Sequence, residues 1–137
     1  MSNNHHELVQ HFADMINKRD VSTMPEHTAA GHIDHNPGVA DGIEANTAFW
    51  TQVFTAFPDI EVVVHDVVAE GDRVVGRLEY TATHQGPFLG IPATGRTVNF
   101  QSIDIWRVED GLFAEHWDQL NMDDLFRQLG VGAPQAA

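Results

Sequence analysis

Residues 99–121 read NFQSIDIWRVEDGLFAEHWDQLN, and the way this stretch folds decides the rest of the chain. Phe100, Ile103, Ile105, Trp106 and Val108 give one strand its β-branched and aromatic content, and Phe113 and Trp117 mark a second. Glu109-Asp110-Gly111 lies between them. A three-residue connection ending in glycine suits a type I turn closed by a left-handed residue and a G1 bulge, because glycine accepts positive φ without a steric penalty. That turn pairs Val108 with Leu112, Asp104 with His116, and Ser102 with Asp118. Side chains alternate with a period of two, so Ser102, Asp104, His116 and Asp118 then share one face with Phe100 and Trp106. A two-residue turn pairs Asp104 with Trp117 instead and separates the acids. Such a polar cluster has two readings: a solvated strand face, or a cavity whose apolar walls hold a few convergent ionisable groups.

A chain of 137 residues fits one domain, residues 1–137, with room for a proper core. The net charge of −13 argues against nucleic acid and anionic membrane surfaces, both of which need basic patches. The absence of cysteine excludes disulfide scaffolds and thiolate metal sites. The opening MSNNHHELVQHF has neither the basic start nor the apolar run of a signal peptide. No stretch approaches the ~18 uninterrupted apolar residues of a membrane span, so a cytoplasmic protein is expected.

Taken in order, the spacing predicts a helix over residues 4–20, with Asn4 and Glu7 as a capping box and Leu8, Phe12, Met15 and Ile16 as its apolar stripe. His5, His6 and His11 read as solvent-facing. A second helix is expected over 21–29, with Pro25 in its first turn. The segment HIDHNPG, 32–38, reads as a short extended stretch over 32–36 leading into an Asn-Pro-Gly turn. Asp41 and Glu44 have capping-box spacing and open a helix to Phe57, with Ile43, Phe49, Trp50, Val53 and Phe54 on its stripe. Strands follow over 60–70, 73–84 and 96–108, the first two joined at Gly71-Asp72. The connection 85–95 is rich in glycine and proline yet carries Phe88, Leu89 and Ile91, so it should fold onto a cavity mouth or a subunit contact. Asn121 caps a last helix with Met122, Leu125, Phe126 and Leu129 inward and Gly130 as its stop; the tail GAPQAA should fray. Helices segregated from a run of strands argue for α+β.

The segments HIDHNPG, HQGPFLGIPATGR, DIWRVEDGLFAEHWD and DDLFRQLG resemble the SnoaL-like polyketide cyclase family, over residues 7–130 or so. This family belongs with ketosteroid isomerase and nuclear transport factor 2 in one superfamily of cone-shaped folds. The resemblance implies a curved antiparallel or mixed sheet wrapped around the N-terminal helices with an internal pocket. It also implies a homodimer or higher homo-oligomer, and ring closure by intramolecular aldol condensation without metal or organic cofactor. The aspartate ending the family's HWD motif serves as general acid and base, which here is Asp118. The neighbouring strand often presents a histidine where this chain has Asp104.

A carboxylate in an apolar pocket is desolvated, which raises its pKa toward a range useful for proton transfer, so Asp118 is the first candidate for chemistry. His116 either orients a substrate carbonyl, completes a proton relay, or is a structural histidine bonded to Asp104. Asp104 either stays protonated beside Asp118 and donates to an enolate oxygen, or holds His116 as an ion pair. His35 is expected to point into the pocket beside Asn36, with Ser102, Trp50, Phe54, Phe88 and Trp106 as further lining; His32 reads as surface or packing. Aromatics at these spacings also serve as plain core. His32, Asp34, His35, His116 and Asp118 could in principle gather around a metal, but HIDH lacks the i, i+4 spacing of zincin ligands, and no metal is assigned. The expected ligand is a mostly apolar, carbonyl-bearing small molecule handled by enolisation and aldol closure, isomerisation or a lyase step. The alternative is a non-catalytic binding or dimerisation module on the same fold.

Overall fold

The computed structural model describes residues 2–131, with side chains from Asn4 onward; the expected fraying of the GAPQAA tail lies outside the described residues. Helix α1 (Ser2–Lys18) is followed by a 3-10 turn (Val21–Glu26), strand β1 (Thr28–Asp34) and helix α2 (Ile43–Ala56). Strands β2 (Glu61–Glu70), β3 (Arg73–Thr83), β4 (Thr97–Glu109) and β5 (Leu112–Leu120) come next, and helix α3 (Met122–Gln128) ends the order. The five strands form one mixed sheet in the order β1-β5-β4-β3-β2, antiparallel throughout except that β1 runs parallel to β5. This is the expected α+β architecture. Bulges at His65 in β2 and at Ala114 in β5 break the antiparallel ladders and bend the sheet, and the β1–β5 register shifts between Thr28 and Ile33.

The organising hairpin differs from its expected form at the turn. Asp110 (φ 53°) and Gly111 (φ 78°) both adopt left-handed geometry, and Glu109 pairs with Leu112. This is a two-residue type I′ turn, whose twist matches the right-handed twist of the flanking strands and favours Asp-Gly. Val108 pairs with Phe113, Ala114 then faces no partner, and from Arg107–Glu115 onward the ladder is displaced by one residue. Asp104 therefore lies opposite Asp118, Trp106 opposite His116, and Ser102 opposite Leu120. The shorter turn moves the register by one and the bulge by one more. An even shift leaves every residue on its face, so the expected pairings are wrong while the expected polar face is right.

Two capping expectations also give way, and with them the readings of His5 and of the segment after the first helix. Helix α1 begins at Ser2, so Asn4 and Glu7 lie inside it and form no capping box. His5 falls on the same helical face as Leu8, Val9 and Phe12 and is buried, not solvent-facing. Helix α2 starts from Gly42 (φ 99°) without a side-chain cap, because Asp41 accepts the backbone N–H of Asp34 instead (3.0 Å) and ties the helix approach to β1. The segment after α1 is a short 3-10 turn with Pro25 near its end, capped by Asp20 on the N–H of Ser22 (3.0 Å). The last cap is as read: Asn121 accepts from Asp124 N–H at 3.0 Å.

The core lies between α1 and the concave face of the sheet, with Leu8, Val9, Met15, Ile16, Phe57, Leu78 and Phe113 almost inaccessible. Asn17 docks α1 on the edge strand β2, donating to Val62 O (3.1 Å) and accepting from Val62 N–H (2.7 Å). Gln128 of α3 does the same for β4 beyond the end of β5, exchanging two bonds of 2.7 Å with the backbone of Asn99. The 85–95 connection is held at its base. Gln85 and Gly86 donate to Ala56 O, and a Cβ on Gly86 would sit 2.5 Å from the carbonyl oxygen of Thr55. Its tip is a miniature hairpin, Phe88 bonded both ways to Ile91, with Leu89 at φ 50° and 64% exposed.

Candidate active site

Alternation along three strands builds the floor of a cavity of about 610 Å³. Strand β4 turns Phe100, Ser102, Asp104 and Trp106 inward, β5 turns His116 and Asp118, and β1 with its continuation turns His32, Asp34 and Asn36. The walls are apolar: Phe12 from α1, Phe49, Trp50, Val53 and Phe57 from α2 and its C-terminal end, and Leu125 from α3. Phe88 and Leu89 of the 85–95 connection reach the mouth, as that loop's composition implied. The size is that of a site for a drug-sized ligand, roughly 300–1,000 Å³.

At the floor, His116 is clamped between two carboxylates. Its Nε2 lies 2.7 Å from Asp104 Oδ2, and its Nδ1 lies 3.2 and 3.3 Å from the two oxygens of Asp34. Burial alone would lower its pKa, but the hydrogen bonds and charges of Asp104 and Asp34 outweigh burial and push it up to about 10. His116 is therefore an imidazolium with both N–H groups in use. Asp34 is drawn upward by burial, yet His116 and the Asn36 backbone N–H (2.9 Å) hold it below the usual carboxylate range. Asn46 of α2 adds a further donor to Asp34 at 3.2 Å. Asp104 accepts from His116 at one oxygen and from the Ser102 hydroxyl at the other (2.5 Å). Of the alternatives for Asp104, the contact with His116 is the one present in this geometry.

Asp118 differs from the other two acids. Half-buried on the cavity floor, it has one side-chain hydrogen-bond partner among the described residues, the amide of Asn36, which donates to both its oxygens at 3.1 Å. The same amide's oxygen accepts from Gly38 N–H (2.9 Å), so the Asn-Pro-Gly turn fixes which way the amide points. Burial raises the Asp118 pKa; His116 and Asn36 pull it back, while Asp104 and Asp34 push it further up, and the net shift is upward. Tyr80 of β3 lines the same floor, its hydroxyl held far above the usual phenol range by burial and by the nearby Asp104.

The chain also aligns over residues 6–129 with the family model described as SnoaL-like polyketide cyclase. It belongs to that family. It is 33% identical over 111 residues to the aklanonic acid methyl ester cyclase DnrD of Streptomyces peucetius, an alignment covering 80% of this chain and 75% of the relative. Among solved structures it superposes on TsrD from Streptomyces laurentii with a TM-score of 0.89 at 36% identity, covering 93% of this chain and 96% of the other. AclR of Streptomyces galilaeus, a proposed hydroxylase, gives a TM-score of 0.83 at 31% identity, covering 95% and 97% of the two chains.

Of the residues singled out from the sequence, Asp118, His116, Asp104, Ser102, Asn36, Trp50, Phe88 and Trp106 line this one cavity. Two do not. His35 points to the opposite face of the sheet, where it is exposed, stacks on Trp117 (4.8 Å, 3°) and bonds Glu115 (2.7 Å). Neighbours in an extended strand face opposite ways, so His35 and Asn36 could never both have pointed inward. Phe54 packs behind Trp50 (5.8 Å) and is not among the lining residues. Conversely, His32 is buried on the cavity wall and not at the surface, and Asp34 holds His116; alternation back from Asn36 was the signal for both. The imagined five-ligand metal set is not assembled, since His35 lies outside. Among the described residues, Asp104, His116 and Asp118 each place one ligand atom within 4.8 Å of the others. A cation there would have to strip His116 of a proton that Asp104 holds, which suits the donor set poorly.

Proposed function

We propose that this chain catalyses a cofactor-independent ring closure on a mostly apolar, carbonyl-bearing small molecule, with Asp118 as the proton-transfer group. The observation carrying this reading is the division of labour among three acids. Asp34 and Asp104 are committed to His116, whereas Asp118 faces the cavity with a raised pKa and a single amide partner. A carboxylate so placed can take a proton α to a carbonyl; the enolate carbon attacks a second carbonyl, and the new alkoxide recovers the proton from Asp118. The apolar walls hold the two reacting carbons together and keep bulk water from the enolate. The clamped His116 offsets part of the negative charge when Asp118 ionises. Among the described residues no lysine or arginine lines the cavity, which favours neutral ligands over free acids.

Aklanonic acid methyl ester, on which the relative DnrD is named to act, is the natural first substrate to try. Ring closure followed by liquid chromatography should proceed with the native chain and fall by about 10²–10⁴-fold in Asp118→Asn. A ligand-binding module is the competing reading, favoured by the acid at Asp104 and by the blocked nitrogens of His116. It predicts that Trp106→Ala weakens binding while Asp118→Asn changes nothing.

The family's self-association has a candidate surface on the convex face. Val68, Val75, Ile105 and Trp117 form one cross-strand row there, and Ile103 lies beside it. The charges around the row pair within the chain, Arg77 with Asp66 and Arg107 with Glu115, so this face is locally balanced in a molecule of net charge −13. Two copies can meet there without strong repulsion. Ile105→Glu should halve the mass measured by light scattering; an unchanged mass sinks the assignment.

A further inference from the structure

Enolate formation needs something the residues above do not supply: a hydrogen-bond donor for the oxygen that takes up charge. His116 is not that donor, because both of its nitrogens face carboxylates. The Ser102 hydroxyl is given to Asp104, and the Asn36 amide to Asp118. His32 is left. It is 3% exposed, lines the cavity and makes no side-chain hydrogen bond among the described residues. Its Nδ1 is sealed off without a partner, which leaves Nε2 as the ring nitrogen open to the cavity. A sealed, unpaired N–H is rarer than a sealed, unpaired acceptor, so the proton belongs on Nε2. Burial holds His32 below the usual histidine range, with His116 adding to that while Asp34, Asp41 and Glu115 oppose it, and the ring is neutral. It stacks on His116 at 6.2 Å and 29°, and His116 reaches within 4.8 Å of Asp118.

We propose that the Nε2–H of His32 binds the ligand's reacting carbonyl oxygen and stabilises it as the enolate. This rests on the acid/base reading of Asp118. The C–H proton passes to the Asp118 carboxylate, the C–H electron pair becomes the new C=C bond, and the carbonyl π pair moves onto oxygen. His32 hydrogen-bonds that oxygen and keeps its own proton, as a neutral imidazole does. Nothing else is consumed, since Asp118 returns the proton after the C–C bond forms.

The test uses the full chain and 2-naphthol, whose hydroxylated ring system mimics an enol. Its dissociation constant should rise about tenfold or more in His32→Phe, which keeps a ring but no donor, and recover most of that loss in His32→Gln. In ¹⁵N-resolved spectra of the native protein, the protonated Nε2 of His32 should shift on titration. Undiminished binding by His32→Phe, a proton found on Nδ1, or an Nε2 signal unmoved at millimolar 2-naphthol each overturns the proposal. If His32→Phe does not fold, the native titration decides alone. Turnover lost in Asp118→Asn with binding unchanged in His32→Phe rejects the donor and spares the acid/base reading. A His32-dependent probe site in a protein that turns over no substrate does the reverse.

Discussion

Raising the pH from 7 to 9.5 should weaken this protein through one residue. Clamped by Asp34 and Asp104, His116 is pushed up to about 10, whereas an unfolded histidine titrates near ~6.5. A group whose folded pKa exceeds its unfolded value contributes fully below the unfolded value and loses that contribution as pH climbs through the folded one. The window therefore opens at about 6.5 and closes near about 10, with a slope of about 1.4 kcal/mol per pH unit and a total of about 5 kcal/mol. Few other groups interfere. The chain has no cysteine, one lysine and one tyrosine, and burial keeps that tyrosine, Tyr80, un-ionised throughout. His27, pushed down to about 4 by burial, and His32 are neutral across the window. With a urea m-value of about 1.5–2.5 kcal/mol/M, the unfolding midpoint should fall by roughly 0.5–1 M for each pH unit. Urea melts at four pH values read this directly, and His116→Gln should flatten the profile. A native profile that is flat between pH 7 and 9.5 refutes the imidazolium clamp.

The raised pKa of Asp118 has the opposite sign for stability: the folded state pays for ionising it at neutral pH. Asp118→Asn should therefore unfold at an equal or higher urea concentration than the native chain, by up to about 1 kcal/mol, even as turnover disappears. Gly86→Ala places a Cβ 2.5 Å from a backbone oxygen, which no side-chain movement relieves, and thermal unfolding should show a loss of about 1–3 kcal/mol. Leu89 is an exposed leucine at φ 50°, a conformation asparagine tolerates better, so Leu89→Asn should raise the melting temperature by a few degrees.

Much of the fold was legible because its signals are local. The stripe of Leu8, Phe12, Met15 and Ile16, the Gly71-Asp72 turn and the cap at Asn121 each rest on residues close in the chain. The polar face of β4 and β5 was legible for a subtler reason, since two errors of one residue cancel in a period of two. The bulge itself was not, because nothing about Ala114 distinguishes it from its neighbours; the twist of the assembled sheet selects it. The missed site residues share one cause. Strand β1 begins at Thr28, and its pairing with β5 is a contact across some 80 positions that no local pattern announces. Once that strand is extended, His32, Asp34 and Asn36 fall inward together and His35 outward. The role of Asp41 was misread because its partner, Asp34 N–H, is a tertiary contact that competes with the expected cap.

The unpaired Ala114 makes strand length and active-site assembly independent quantities. Deleting it alone would move no pair: Val108–Phe113 would be followed directly by Arg107–Glu115, and His116 and Asp118 would keep their face. The ladder from Arg107–Glu115 onward would close as before, now from the same two-residue turn with no interruption in the strand. Two differently built hairpins thus converge on one arrangement of side chains, which gives this part of the chain a route for changing length without changing what it holds.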